Sequence, residues 1–344
     1  MRKGNKFGVH RVIEPAGVLP QAAQKLDNAM EIYSNEILID VLTLNIDSAS
    51  FTQVKKACNN DKNQMKEMIL GIVSERGKMQ NPVTGSGGML IGKVKEIGPD
   101  FPDKNLKVGD KIATLVSLTL TPLKINQIKD IKIDADQVDV DAQAILFESG
   151  IYSVIPNDMP EKLALAALDV AGAPAQVAKL VKEGNSVAIV GAGGKSGILC
   201  CYQAMKNAGP NGKVIAIVRG EKHKQDLLDL GVTTDIVLAD ATNGIDVYEK
   251  VLAVNNGEQV DVTINVVNVP NTEMSCILIT KETGIVYFFS MATSFTKAAL
   301  GAEGIGNDVT MLIGNGYSKN HDLITLDILR ESAVIRKVFE DKYL

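Results

Sequence analysis

The sequence predicts an α/β protein of two domains, a small β-barrel followed by a doubly wound parallel sheet. Three observations predict it. A glycine-rich turn joins a short apolar run to a helix at residues 186–208, apolar strands alternate with helices after Pro156, and short strands joined by tight glycine turns come before it. A chain of 344 residues has room for two domains and a sizeable core.

The elements follow in order. Residues 36–46 alternate as a half-buried strand does. Residues 89–99 and 106–112 are short runs punctuated by Gly92, Gly98-Pro99 and Gly109-Asp110, the turn chemistry of a small barrel. After Pro156 the period changes, with strand candidates at 186–190, 214–218, 236–238, 260–266 and 285–290 and helical segments between them. The stretch from Met311, with apolar-periodic residues 323–339, reads as a strand plus a helix returning to the first domain. The expected limits are 1–155 for the barrel domain, with 305–344 packing back on it, and 156–304 for the nucleotide-binding domain.

The central turn carries the chemistry. Residues 186–190 run into Gly191-Ala192-Gly193-Gly194-Lys195-Ser196-Gly197, and the following helix stops at Gly209-Pro210. A parallel strand feeding a helix through glycines leaves N–H groups and the helix dipole where a pyrophosphate can sit. Residues 213–219 supply the next strand at βαβ distance. Gly191 and Gly193 fill the first two positions of a dinucleotide (Rossmann) fingerprint. The third falls on Ser196, small enough for close packing, with Gly197 one residue on. Gly194-Lys195-Ser196 invites a P-loop reading, but the glycine that motif needs five residues earlier is Ile189, inside the strand. A methyltransferase-type turn is the other rival, on fold analogy.

Gly191, Gly193, Gly194 and Ser196 are therefore the expected pyrophosphate contacts. The second strand ends on Val218 with Arg219 next and Glu221 two further on, so the usual acidic ribose selector is missing. A guanidinium there suits a 2′-phosphate, which leaves NAD or NADP open and makes NADP acceptance plausible. The plain alternative is Arg219 stacked on adenine or in solvent, with Glu221 on the ribose. Asn265 and Val266 end the strand from Val260 and are expected to turn backbone toward the nicotinamide half, as is the segment 288–291. The alternative for both is ordinary sheet core.

Composition excludes several classes. The net charge is −5 with acids and bases mixed along the chain, which argues against a nucleic-acid or anionic-membrane partner. No apolar run is long enough to span a bilayer and the first residues lack a signal-peptide core, so a cytoplasmic protein is expected. Cys58, Cys200, Cys201 and Cys276 form no C-x-x-C pair and read as buried free thiols. His10, His223 and His321 are too few and too scattered for a tetrahedral site, so no metal is expected; His223 and His321 read as surface residues.

Gly92-x-Val94-x-x-Ile97-Gly98, then Val108-Gly109-Asp110-Lys111-Ile112, then the glycine turn, resembles the medium-chain dehydrogenase/reductase superfamily over roughly residues 35–300. Residues 8–21, 44–53 and 287–295 resemble, within it, a zinc-free branch that oxidises amines in anaerobic lysine fermentation. The resemblance implies a GroES-like catalytic domain, a Rossmann domain and a homodimer. It also implies the reaction: NAD(P)⁺ takes hydride from the C3 amine of a diamino acid, an imine forms, and water releases ammonia and a 5-amino-3-oxo acid. Where the zinc enzymes carry a Cys and a Gly-His-Glu, this chain has Asn45-Ile46-Asp47-Ser48 and Gly87-Gly88-Met89, and it lacks a four-cysteine lobe. Chemistry without metal polarisation is expected.

Such a reaction needs a general base for the amine and the attacking water, a carboxylate for the second ammonium, and a cation for the substrate carboxylate. Asp47 is the candidate base or ammonium partner, with an Asx turn as the plain alternative. Ser48 is a candidate substrate contact beside it. Glu148 is a second catalytic candidate, or a solvated loop acid. Arg11 is the candidate for the substrate carboxylate, or half of a surface salt bridge. Tyr152 is a candidate proton donor, or a packed aromatic. A zinc-free NADP-dependent quinone or enoyl reductase is the rival function, and a nucleotide-binding sensor without turnover is the third; activity on a diamino acid or on an activated alkene separates the first two.

Overall fold

The computed structural model describes residues 1–344 apart from Asn315, and at Ser48 and Tyr343 the backbone alone. The chain divides into two units, Met1–Asn157 and Asp158–Leu344.

In the first unit, β1 (Val12–Glu14) and β2 (Lys25–Leu26) form a small antiparallel ribbon. Then come β3 (Ile37–Asn45), α1 (Ser48–Ala57), α2 (Lys62–Arg76), β4 (Met89–Ile97), β5 (Lys111–Thr114), β6 (Leu123–Lys132), β7 (Gln137–Leu146) and β8 (Tyr152–Val154). The strands make one antiparallel sheet in the order β6-β7-β3-β4-β5-β8. Among the described residues no pairing joins β8 to β6, so the small barrel is an open one, its antiparallel sheet bent by bulges at the register shifts in β3, β4, β6 and β7. Strand β3 is its centre: it pairs with both β4 and β7, and Ile37, Ile39, Val41 and Leu44 are buried. Helices α1 and α2 add Phe51, Val54, Met65 and Ile69 to that core. Asp47 caps α1 through Ser50 N–H, Asp61 caps α2, and Gly77, at φ +66°, ends it.

The second unit starts with α3 (Glu161–Leu168) and α4 (Gly172–Leu180). It continues with β9 (Ser186–Val190), α5 (Lys195–Ala208), β10 (Lys213–Val218), α6 (Glu221–Leu230), β11 (Asp235–Leu238), α7 (Gly244–Val254), β12 (Val260–Asn265), α8 (Glu273–Ile279), β13 (Thr280–Phe288), α9 (Phe295–Ile305), β14 (Thr310–Ile313), α10 (His321–Glu331) and α11 (Ala333–Tyr343). All six strands are parallel, in the order β11-β10-β9-β12-β13-β14. The chain reverses direction across the sheet between β9 and β12, the switch point where this architecture opens a crevice at the carboxyl ends of its strands.

The C-terminal stretch differs from expectation. Instead of returning to the first domain, residues 305–344 add β14 to the parallel sheet and lay α10 and α11 on α3, α4 and α5 of the second unit. Leu326, Ile328, Leu329, Ile335 and Phe339 are the buried apolar residues that hold them there. The single helix expected over 323–339 is two helices, because Ser332 leaves the helical region and its hydroxyl caps Ile335 N–H. His321, expected at the surface, is buried at the start of α10, and burial lowers its pKa. Among the described residues no single helix is long and apolar enough to cross a membrane. All four cysteines are buried and unpaired.

Candidate active site

The glycine turn after β9 is built by close backbone approach. Gly191 has φ +89°, and a Cβ on it would lie 2.8 Å from the backbone of Val267, in the segment that leaves β12. A Cβ on Gly197 would lie 2.5 Å from Cα, C and O of Ala192. The close-packing role of the third fingerprint glycine therefore belongs to Gly197, one residue beyond Ser196 where the spacing put it. Gly194 faces open space, with no neighbour nearer than 3.8 Å to a Cβ there, and it begins α5 without a side-chain cap. The first intrahelical bond is Ile198 N–H to Gly194 O at 3.0 Å, so the preceding turn offers N–H groups that have no acceptor within the helix. Open space at Gly194 and the positive helix end together fit a dinucleotide pyrophosphate. Gly197→Ala is expected to cost about 1–3 kcal/mol of stability by overpacking rigid backbone, while Gly194→Ala costs little; paired urea denaturation curves check it.

On the β10 side, Arg219 is 84% exposed, with its Nε 3.8 Å from Asp240. His223, on α6, lies against the turn: a Cβ on Gly193 would be 2.5 Å from its ring. On the other side Asn265 is fully buried and points inward. Its amide donates to Thr272 Oγ1 at 2.8 Å, its Oδ1 accepts from Val267 N–H at 3.2 Å, and its carbonyl accepts from Phe289 N–H. The N–H of Val266 is bonded to Val190 O. Asn265 thus shapes the loop after β12 rather than offering its side chain to a ligand. A cavity of about 130 Å³ opens at the ends of β13 and β14, lined by Phe288, Ser290, Thr293, Met311, Ile313 and Gly314. The hydroxyl of Thr293 is buried without a partner.

In the first unit the four expected residues do not converge. Asp47 follows the end of β3. Its Oδ1 takes Ser50 N–H at 3.0 Å, while Oδ2 is buried with no hydrogen-bond partner. Gly88, at φ +104°, packs beneath it, since a Cβ there would lie 2.7 Å from Asp47 N. Ser50, Thr84 and Ser86 add a hydroxyl cluster with Oγ contacts of 2.6 and 2.8 Å, a feature the sequence reading missed. The side chain of Ser48 lies outside the described residues.

Glu148 lies at the opposite end of β3. The antiparallel register puts Ile37 against Leu146 and Asn45 against Gln137, so the nine-residue strand separates Glu148 from Asp47. At about 3.4 Å per residue that distance is roughly 27 Å. Glu148 accepts instead from Asn35, which also binds Gly4. Arg11 belongs to the same end. It is 1% exposed, and its guanidinium donates twice to Glu36, at 2.8 and 2.7 Å, and to the carbonyls of Ala29 and Glu31 at 2.7 Å. Four of its five N–H groups are taken within the protein, and the exposed salt bridge or substrate cation read from sequence is a buried structural pair. Burial raises the Glu36 pKa, but the bonds from Arg11, His10 and Tyr33 N–H outweigh it and hold the carboxyl at about 2. Tyr152 donates to Asp103 at 2.6 Å, and burial with that bond raises its pKa.

This pairing of an antiparallel-sheet unit with a parallel dinucleotide-type sheet is the medium-chain dehydrogenase/reductase fold. The quinone oxidoreductase of Pseudomonas syringae pv. Tomato DC3000 shares it at TM-score 0.56 and 15% identity, covering 96% of this chain and 87% of that one. A mycobacterial protein complexed with NADPH does so at TM-score 0.56 and 15% identity, over 93% and 86%. The family model for the L-erythro-3,5-diaminohexanoate dehydrogenase N-terminal domain matches residues 10–156. A relative from Fusobacterium nucleatum subsp. nucleatum, named L-erythro-3,5-diaminohexanoate dehydrogenase, is 64% identical over the whole of both chains. The chain belongs to the L-erythro-3,5-diaminohexanoate dehydrogenase family.

Proposed function

We propose that this oxidoreductase catalyses the NAD(P)-dependent oxidative deamination of L-erythro-3,5-diaminohexanoate to 5-amino-3-oxohexanoate and ammonia, a step of lysine fermentation. The glycine turn after β9 carries the oxidoreductase reading, because close packing at Gly191 and Gly197 fixes it while Gly194 leaves the start of α5 open, where the positive helix end can meet a pyrophosphate. Full-length identity of 64% to a named relative carries the substrate. The quinone or enoyl reductase reading has fold likeness at 13–17% identity behind it.

The bound nicotinamide supplies the hydride acceptor. The chain must supply a proton acceptor, since an ammonium cannot give up hydride until it has lost a proton. Asp47 fits that role: one oxygen is tied to the helix, which fixes the carboxylate, and the other is buried with an unspent lone pair. Once it has released that proton, the same oxygen can take one from the water that attacks the imine carbon and return it to the nitrogen that leaves as ammonia. Mixing the protein with the diamino acid and either dinucleotide tests the reading. Reduced cofactor should appear in step with ammonia; reduction of an activated alkene alone would overturn it.

NADP acceptance rests on Arg219, whose guanidinium is exposed beyond the end of β10. Arg219→Ala is expected to weaken NADP⁺ binding about tenfold or more by removing a charge-assisted contact to the 2′-phosphate. NAD⁺ binding should stay unchanged, and titration with both cofactors checks it. We also place the protein in the cytoplasm, where four buried free thiols persist. A homodimer forms through edge strand β14, whose Ile313 is 69% exposed beside exposed Met291 and Phe295. Sedimentation of Ile313→Lys against the parent chain checks that arrangement.

A further inference from the structure

We infer that Lys195, held by Asp169, sets the charge felt by the nicotinamide ring and so biases the site toward hydride acceptance. The inference rests on the dinucleotide reading above and adds a residue to it. Lys195 is the first residue of α5, and a cation there opposes the helix dipole. Its ammonium is 2.6 Å from the carboxylate of Asp169, the residue that ends α3, and the lysine side chain is 21% exposed. A lysine placed against the dipole and tethered by a carboxylate at a ligand-binding turn breaks a local rule, and such breaks mark function.

Neighbouring contacts tell which half of the crevice the pair faces. Three residues beyond Asp169, a Cβ on Gly172 would lie 2.4 Å from Gly316 O. On that same segment after β14, a Cβ on Gly314 would lie 2.7 Å from the hydroxyl of Tyr287, which belongs to β13. The pair therefore sits toward β13 and β14, while Arg219 and Asp240 mark the β10–β11 side. In a sheet of this order the adenosine half takes the β10 side of the switch point, and the nicotinamide half takes the other.

The oxidised ring carries a positive charge and the reduced ring none. An ammonium nearby disfavours the oxidised form and leaves the reduced one untouched; a carboxylate does the reverse. Lys195 then promotes hydride acceptance, and Asp169 both positions and moderates it.

Equilibrium binding of oxidised and reduced dinucleotide to the free protein tests this, read by fluorescence of the reduced form and by competition. In Lys195→Met the ratio of oxidised to reduced Kd is expected to fall about tenfold, because Asp169 is left unopposed. In Asp169→Asn the ratio should rise, and Lys195→Arg should keep the parent ratio. An unchanged ratio in both Lys195→Met and Asp169→Asn overturns the inference. So does equal weakening of both forms, which would make Lys195 a diphosphate contact. Failure of the parent chain to bind either form would instead remove the dinucleotide reading beneath it.

Discussion

Asp47→Asn is expected to lower kcat by about 10²–10⁴-fold, the usual worth of a positioned general base, with cofactor binding and thermal stability kept. The choice of asparagine matters. Asn caps a helix as well as Asp does, so the bond from Ser50 N–H survives and α1 stays in place. What disappears is the proton-accepting capacity of the second, unpartnered oxygen. Asp47→Ala would confuse the two effects, because losing the cap costs about 1 kcal/mol by itself. If Asp47 instead holds the C5 ammonium, kcat survives, KM rises, and a substrate lacking that amine is indifferent to the change. Parent-like kcat and KM would remove Asp47 from the site altogether.

Strands β3, β4 and β9–β13 were legible because burial on one or both faces imposes a period or an apolar run that survives in the sequence. Helices α1 and α2 were not. Asp47 reads equally as an Asx turn and as an N-cap, because both use the same side-chain oxygen on a backbone N–H two or three residues on. Gly197 was visible, yet fingerprint spacing named Ser196; only the approach of Ala192 shows which residue must lack a Cβ. The separation of Glu148 from Asp47 follows from the β3–β7 register, which is set by partners about a hundred residues apart. Arg11 and Glu36 are 25 residues apart, and nothing local in either segment announces that the other neutralises it. Lys195 was noticed for the wrong motif, and its partner Asp169 became visible only through the turn between α3 and α4.

Arg11→Met is expected to destabilise the protein by about 3–5 kcal/mol, because it leaves the Glu36 carboxylate buried without its main partner. Both side chains are 1% exposed, so solvent cannot take over the lost bonds. In the parent chain the folded pKa of Glu36, about 2, lies below its ordinary 4.5. The pair's contribution is therefore complete above pH 4.5 and is lost as pH falls toward 2. In the variant only the bonds from His10 and Tyr33 N–H still oppose burial, so the Glu36 pKa rises from its parent value, acidification toward the carboxyl range relieves the under-compensated charge, and the stability gap between variant and parent narrows as pH falls. Urea denaturation at neutral pH and near pH 4 measures both effects. Adding Glu36→Gln to the variant should recover much of the loss at neutral pH, since the buried charge goes with it. A substrate-binding arginine would behave differently: stability would hold while KM for the diamino acid rose. With four donors already committed to Glu36, Ala29 and Glu31, the stability loss is the result this geometry requires.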